Sequence, residues 1–212
     1  MSALTHSALD EASLHAAVDE LAQRDADLAR IVDRYGPPPL WAREPGFPTL
    51  VLLILEQQVS LASARAAFNR LEATLGAVTP EGVLALSDQE MRTVGFSRQK
   101  TGYARALAES IQHEWFDPAE LPALDDDGVR RALTALKGVG PWTAEIYLLM
   151  VLRRPDAWPV GDLALATAVQ QVKGLAQRPS PADLTALAED WRPWRAVAAR
   201  LLWHHYLSQG KR

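Results

Sequence analysis

The sequence contains no cysteine. Disulfides, iron–sulfur clusters and thiolate zinc sites are thereby excluded, and the absence fits a reducing compartment. No apolar run approaches the ~20 residues a membrane span needs, and Met1 to Asp10 is too polar for a signal peptide. Alternation with period two is nowhere sustained, so no strand is expected. Histidine is scarce, and the neighbours His204 and His205 would point about 100° apart on a helix, a poor arrangement for a shared metal. An excess of positive charge is missing too: the net charge is −4, which argues mildly against a nucleic-acid partner. These absences lead to the expectation of an intracellular, membrane-free protein with no metal held by side chains.

What is present is helical. Hydrophobic residues make up 48% of the 212 and charged residues 23%, the balance of an ordinary globular chain. Apolar residues recur at helical spacing from Leu9 to Val32, until Gly36-Pro37-Pro38-Pro39 ends the run. Phe47 to Val59 reads as a buried helix, and Ala64 to Leu75 as a second, closed by Gly76. Ser60, Thr79 and Ser87 read as caps; Ser87 is followed by Glu90 in the capping-box spacing. Further helices are predicted over 98–113, 127–136, 142–152, 162–172, 182–188 and 194–207. The prediction is an all-α protein of about ten helices. Breaks at Gly36 to Pro45 and Lys173 to Pro181 are the best lobe boundaries. Charge is uneven across these regions. Met1 to Pro45 holds eight acids and four bases, whereas Lys137 to Arg212 holds ten bases and six acids. A basic footprint is therefore available in the C-terminal part.

The segment Leu136-Lys137-Gly138-Val139-Gly140-Pro141-Trp142-Thr143-Ala144 is the most informative. A helix ends, Gly-Val-Gly turns the chain, and a helix restarts with Pro141 in its first turn. The two glycines allow positive φ and an approach to bare backbone. The free N–H groups of the new helix suit a phosphate. A plain helix-to-helix turn accounts for the glycines equally well.

This run resembles the helix-hairpin-helix element of the DNA glycosylase superfamily, here spanning about residues 127–152. Three further segments share the likeness: Leu55-Glu56-Gln57-Gln58-Val59-Ser60 resembles the family's DNA-entering segment. Trp158-Pro159-Val160-Gly161-Asp162 is similar to its Gly/Pro-rich loop and aspartate. Trp191-Arg192-Pro193-Trp194-Arg195 is similar to a segment of the 3-methyladenine DNA glycosylase II family. The resemblance implies two helical lobes with a cleft between them, residues 1–45 packing with 175–212 as one lobe and residues 46–174 forming the other. It also implies damaged double-stranded DNA as partner, a monomer, and a place in the cytoplasm or at the nucleoid. Family members often hold a monovalent cation through hairpin carbonyls; no other cofactor is implied.

The implied site rests on a few residues. Breaking a C–N glycosidic bond builds positive charge on the sugar, which a carboxylate stabilises. Asp162 matches the family's catalytic aspartate, although its local sequence alone reads better as the N-cap of the helix that follows. In bifunctional relatives a lysine stands two residues after the hairpin's last glycine and forms a Schiff base. Here Trp142 holds that place and Lys137 lies before the turn, which implies a monofunctional, water-using enzyme. An indole face attracts a cationic methylated base. Trp142 and Trp194 match the base-pocket positions, while Trp41, Trp115, Trp158, Trp191 and Trp203 are read as packing. Ile146 stands where some relatives have tyrosine, with Tyr147 beside it. Gln58 matches the residue that fills the gap left by a flipped base, though Gln57 and Gln58 also read as helix-end or solvent contacts. Lys137, Gly138, Val139 and Gly140 complete the implied DNA contacts. The expected function is hydrolytic excision of alkylated purines. The alternatives are a glycosylase for oxidised or mismatched bases, a non-catalytic helix-hairpin-helix DNA-binding protein, or a helical interaction protein.

Overall fold

The computed structural model describes residues 8–209. Among them there is no strand, and twelve α-helices, two 3₁₀ segments and one π-helical turn make up the regular structure. The chain is all-α, as its periodicity predicts. None of the described helices is long and apolar enough to cross a membrane. Two compact units form: Met1–Ala42 with Glu145–Arg212, and Arg43–Ala144.

The first unit begins with α1 (Glu11–Arg24) and α2 (Ala26–Tyr35) rather than one continuous helix. Asp25 is the reason. Its backbone is extended and its carboxylate accepts from the amides of Asp27 (2.9 Å) and Leu28 (3.4 Å), so it caps a new helix. The same carboxylate takes the Lys173 ammonium at 2.7 Å and the Trp191 indole at 2.8 Å. Gly36, at φ +76°, ends α2 as the sequence predicts.

The second unit is built around α3 (Phe47–Glu56), which buries Phe47 and every residue from Leu50 to Glu56. A helix apolar on all sides belongs in a core. Each of its fully buried leucines contributes about 1.5–3 kcal/mol by leaving water. The one charged exception, Glu56, is forked onto Arg43 at 2.9 and 3.0 Å. The helix stops at Glu56, three residues short of the predicted Val59, because Gln57 is extended and Gln58 left-handed. It packs on α4 (Leu61–Leu75) and on α7 (Arg98–Gln112), which also covers α5 (Pro80–Ala85) and α6 (Asp88–Thr93). Ser60 caps α4, Thr79 caps α5, and Ser87 with Glu90 forms the expected capping box on α6. A 3₁₀ segment at Pro118–Ala123 then leads into α8 (Asp126–Thr134), which Asp125 caps.

Helix α9 (Pro141–Ile146) carries the chain back into the first unit and runs straight into a π-helical turn, Tyr147–Val151. Three helices follow: α10 (Leu163–Val172), α11 (Pro181–Ala188) and α12 (Arg195–Gln209). Helix α12 buries every residue from Ala196 to Trp203 and packs against α1, α2 and α10. Among these is Arg200, fully buried, whose guanidinium donates to the carbonyls of Leu40 (2.9 Å), Ala196 (3.0 Å) and, in the π turn, Leu149 (2.6 Å). Burial pushes its pKa down to about 10, so it stays charged at neutral pH. The packing of α10 on α12 corrects the predicted division. The first break falls close to the expected residue 45, but the second lies at Ala144/Glu145 and not near 174. The loop bearing Asp162 therefore belongs with the terminal helices.

Candidate active site

In the second unit the hairpin turns at Gly138, where Val139 N–H closes onto the Leu136 carbonyl at 3.1 Å. Gly138 has φ +86°, and a Cβ there would lie 2.2 Å from the Tyr103 ring. Both backbone conformation and space demand glycine. Gly140 differs from expectation: its φ is not positive, and a Cβ would meet nothing within 4 Å. Its bare backbone faces open space instead. Val139 is buried, which leaves only its main chain to face a ligand, whereas Lys137 is exposed. Trp142, the second residue of α9, is half-buried.

The end of α3 is fastened to this hairpin. Gln57 donates its side-chain amide to the Gly138 carbonyl at 2.9 Å and to Thr143 Oγ1 at 3.2 Å. Lys100 Nζ, from the first turn of α7, donates to the carbonyls of Leu55 (2.7 Å) and Gln57 (2.8 Å). Burial pushes that lysine below its usual range. Gln58 follows at φ +58° and is exposed, with Val59 and Leu61 exposed beyond it.

In the first unit Asp162 does cap α10. Its Oδ1 accepts the Leu165 amide at 2.8 Å and the Trp203 indole N–H at 3.2 Å. The loop before it is pinned: Glu145 accepts the Trp158 amide at 2.9 Å, the Trp158 ring lies 5.5 Å from Trp191, and Gly161 turns at φ +87°. A half-buried carboxylate is thus held at a loop-to-helix junction by two N–H dipoles from different parts of the chain. Such a group can face developing positive charge without reorganising.

Trp194 is half-buried and Trp203 is buried. Trp194 donates to Glu20 at 2.8 Å and starts α12 through its carbonyl. It is Trp203, read from sequence as packing, whose indole reaches Asp162. Nothing local could have told the two apart, since the contact spans 41 residues. Tyr147 and Ile146 are both buried in the first unit. His204 bonds the Tyr35 carbonyl at 3.1 Å. Two surface hollows, one along residues 175–190 and one along 110–136, are lined by neither Asp162 nor Trp203.

The profile of a known protein family, described as "HhH-GPD superfamily base excision DNA repair protein", matches residues 51–193 of this chain. The chain belongs to that superfamily. Its matched span runs from within α3 to the Arg192-Pro193 segment and so includes Gln57, Gln58, the hairpin and Asp162. Among relatives, DNA-3-methyladenine glycosylase 1 of Schizosaccharomyces pombe is 28% identical over 200 residues, covering 92% of this chain and 86% of its own. A Bacillus subtilis relative is 26% identical over 184 residues, and the match spans 64% of that protein's length. Among solved structures, the S. pombe 3-methyladenine DNA glycosylase in complex with abasic DNA superposes with a TM-score of 0.80 at 26% identity, covering 89% of this chain and 95% of that one. A DNA-3-methyladenine glycosidase from Bacillus halodurans superposes with a TM-score of 0.75 at 29% identity, covering 92% and 91%.

Proposed function

We propose that this HhH-GPD protein is a monofunctional DNA glycosylase that hydrolyses the bond between deoxyribose and alkylated purines of the 3-methyladenine type in damaged duplex DNA. The observation that carries the reading is Asp162, a carboxylate fixed by the Leu165 amide and the Trp203 indole, at the position that the sequence resemblance gives to the catalytic aspartate. The names of the relatives and of the superposed structures support the substrate class.

The residues divide the work as follows. Backbone amides of Gly138 and Gly140 meet a phosphate, with Lys137 adding charge beside it, while the Val139 amide holds the turn by its bond to the Leu136 carbonyl. Gly140 suits this because nothing crowds the position of its missing Cβ. Gln58, left-handed and exposed, enters the stack as the damaged nucleotide leaves it. Trp142 offers an indole face to the extruded base, and a methylated, cationic ring gains about 0.5–2 kcal/mol there. Trp194, half-buried with its indole N–H on Glu20, keeps a ring face for the second wall of the base pocket, and the buried Trp203 holds Asp162. As the C–N bond breaks, the base departs with the bonding electron pair and Asp162 stabilises the cationic sugar. Water then adds its oxygen to the sugar carbon and loses a proton, which the carboxylate accepts or directs.

The protein acts as a monomer where its DNA lies, in the cytoplasm or at the nucleoid. The hairpin's Gly-Val-Gly side chains offer no metal ligand, so a monovalent cation would rest on main-chain carbonyls. It would supply positive charge beside the phosphate. One of those carbonyls, that of Gly138, already accepts the Gln57 amide.

The test is base release from methylated duplex DNA, with the released bases identified chromatographically and borohydride present in a parallel reaction. Release of 3-methyladenine or 7-methylguanine without a trapped covalent adduct is expected. A borohydride-trapped adduct would overturn the monofunctional assignment, and release of oxidised bases alone would overturn the substrate class.

A further inference from the structure

The turn after α3 is held more firmly than helix termination requires. A lysine that donates to the last carbonyls of a helix is a sufficient C-terminal cap, and Lys100 does this for Leu55 and Gln57. Gln57 goes further. Its main chain is gripped by α7 through Lys100, while its side chain reaches 81 residues along the sequence to the carbonyl of Gly138. Gly138 is in turn seated against Tyr103, one turn along α7 from Lys100, and the Tyr103 hydroxyl accepts from Gln99 at 2.6 Å. Helix α7, the hairpin and the end of α3 therefore form a closed ring of contacts inside one unit. Gln58 is the next residue out from that ring, in a left-handed backbone conformation that side chains adopt only when surroundings over-determine it.

We propose that Gln57 and Lys100 are positioning residues for base extrusion. They hold Gln58 at a fixed place relative to the hairpin, so that the hairpin's grip on a phosphate sets where the Gln58 side chain enters the base stack. The inference rests on the glycosylase reading for the role of Gln58. Its physical content is that a gap-filling side chain works only when it arrives in register with the vacated step, and a displacement of about 1 Å in such a site costs on the order of 10²-fold in rate. The Gln57 amide joins the end of α3 directly to the hairpin through its bonds to Gly138 and Thr143.

The test uses the full chain and an uncleavable duplex carrying a tetrahydrofuran abasic analogue, with 2-aminopurine in the opposite strand at that step. Binding is followed by anisotropy and gap filling by 2-aminopurine fluorescence. Gln57→Leu and Lys100→Met are expected to bind within about threefold of wild type but to lose most of the fluorescence change, as Gln58→Ala does. The double variant Gln57→Leu/Gln58→Ala is expected to be no worse than Gln58→Ala alone, because Gln57 acts through Gln58. Lys100→Arg, which keeps a cationic donor, is expected to recover part of the signal. Thermal melting of each variant guards against simple loosening: if affinity and fluorescence fall together with Tm, the two residues are structural only and the proposal fails. It fails also if either variant keeps the full fluorescence change, or if losses in the double variant add. A tight wild-type complex with no fluorescence change overturns both the wedge role of Gln58 and the proposal. The expected pattern in an enzyme that releases no methylated base would overturn the glycosylase reading and leave the positioning frame standing.

Discussion

Gly138→Ala isolates the two demands that the hairpin makes on one residue. At φ +86° an alanine pays the left-handed penalty, about 1–2 kcal/mol. Its Cβ would also sit 2.2–2.5 Å from three ring carbons of Tyr103, against an ordinary contact of 3.4 Å or more. The ring must move by roughly an ångström, and overpacking of that kind costs about 1–3 kcal/mol. The sum is about 2–5 kcal/mol. Because the three atoms nearest the missing Cβ all belong to the half-buried Tyr103 ring, removing the ring should remove the second part. In a Tyr103→Ala background, the same Gly138→Ala change is therefore expected to cost only the ~1–2 kcal/mol of backbone strain. Urea unfolding of the four proteins measures both steps, and equal m-values would show that the unfolded states are comparable. An identical penalty in the two backgrounds would refute the steric half of the reasoning. A penalty below about 0.5 kcal/mol in either would refute the backbone half.

Trp142→Ala is expected to slow excision of cationic 3-methyl- or 7-methylpurines more than excision of a neutral damaged base, measured as a rate ratio on one preparation; equal losses would reduce Trp142 to a generic stacking surface. Trp203→Phe keeps the ring but removes the 3.2 Å hydrogen bond to Asp162, and with the Leu165 amide still in place the loss should be about 1–2 kcal/mol, or roughly 5–30-fold in kcat. An unchanged kcat with lowered Tm would make that indole purely structural. For Asp25, burial works to raise the carboxyl, but the hydrogen bonds from Lys173 and Trp191 and the lysine's charge outweigh it and hold the group below its usual 3.8. A depressed folded value means stability that is present above the unfolded pKa and lost as pH falls through the folded one. Asp25→Asn should therefore destabilise the protein by about 2 kcal/mol at pH 7, and the gap from wild type should close progressively below about pH 4. A gap that persists at the acid end would contradict this.

Much of this was readable along the chain because its causes are local. Ser60, Thr79, Ser87 and Asp162 each cap the helix directly following them, and the Gly-Val-Gly turn announces itself between two helical runs. The break at Asp25 was missed because apolar spacing continues across it, and its cause includes Lys173 and Trp191, 148 and 166 residues away. Trp194 and Trp203 look alike in sequence; only folding reveals that one donates to Glu20 and the other to Asp162. Arg200 sits among apolar residues of α12, and its three carbonyl partners include Leu40, distant by 160 positions. The second unit boundary was misplaced for the same reason. The Lys173 to Pro181 loop looks like a linker, but the packing of α10 on α12 across it carries no local signature.

The central claim is that Asp162 is the carboxylate that breaks the glycosidic bond. Single-turnover base release from a duplex containing methylated purines, with wild type and Asp162→Asn both in excess over DNA, tests it most directly. Asparagine keeps an oxygen able to accept the Leu165 amide and the Trp203 indole, so fold and binding should survive the change. The account predicts a rate lowered by at least about 10²-fold, with DNA affinity equal to wild type or higher, since one negative charge near the phosphates is gone. Base release by Asp162→Asn at the wild-type rate would contradict it.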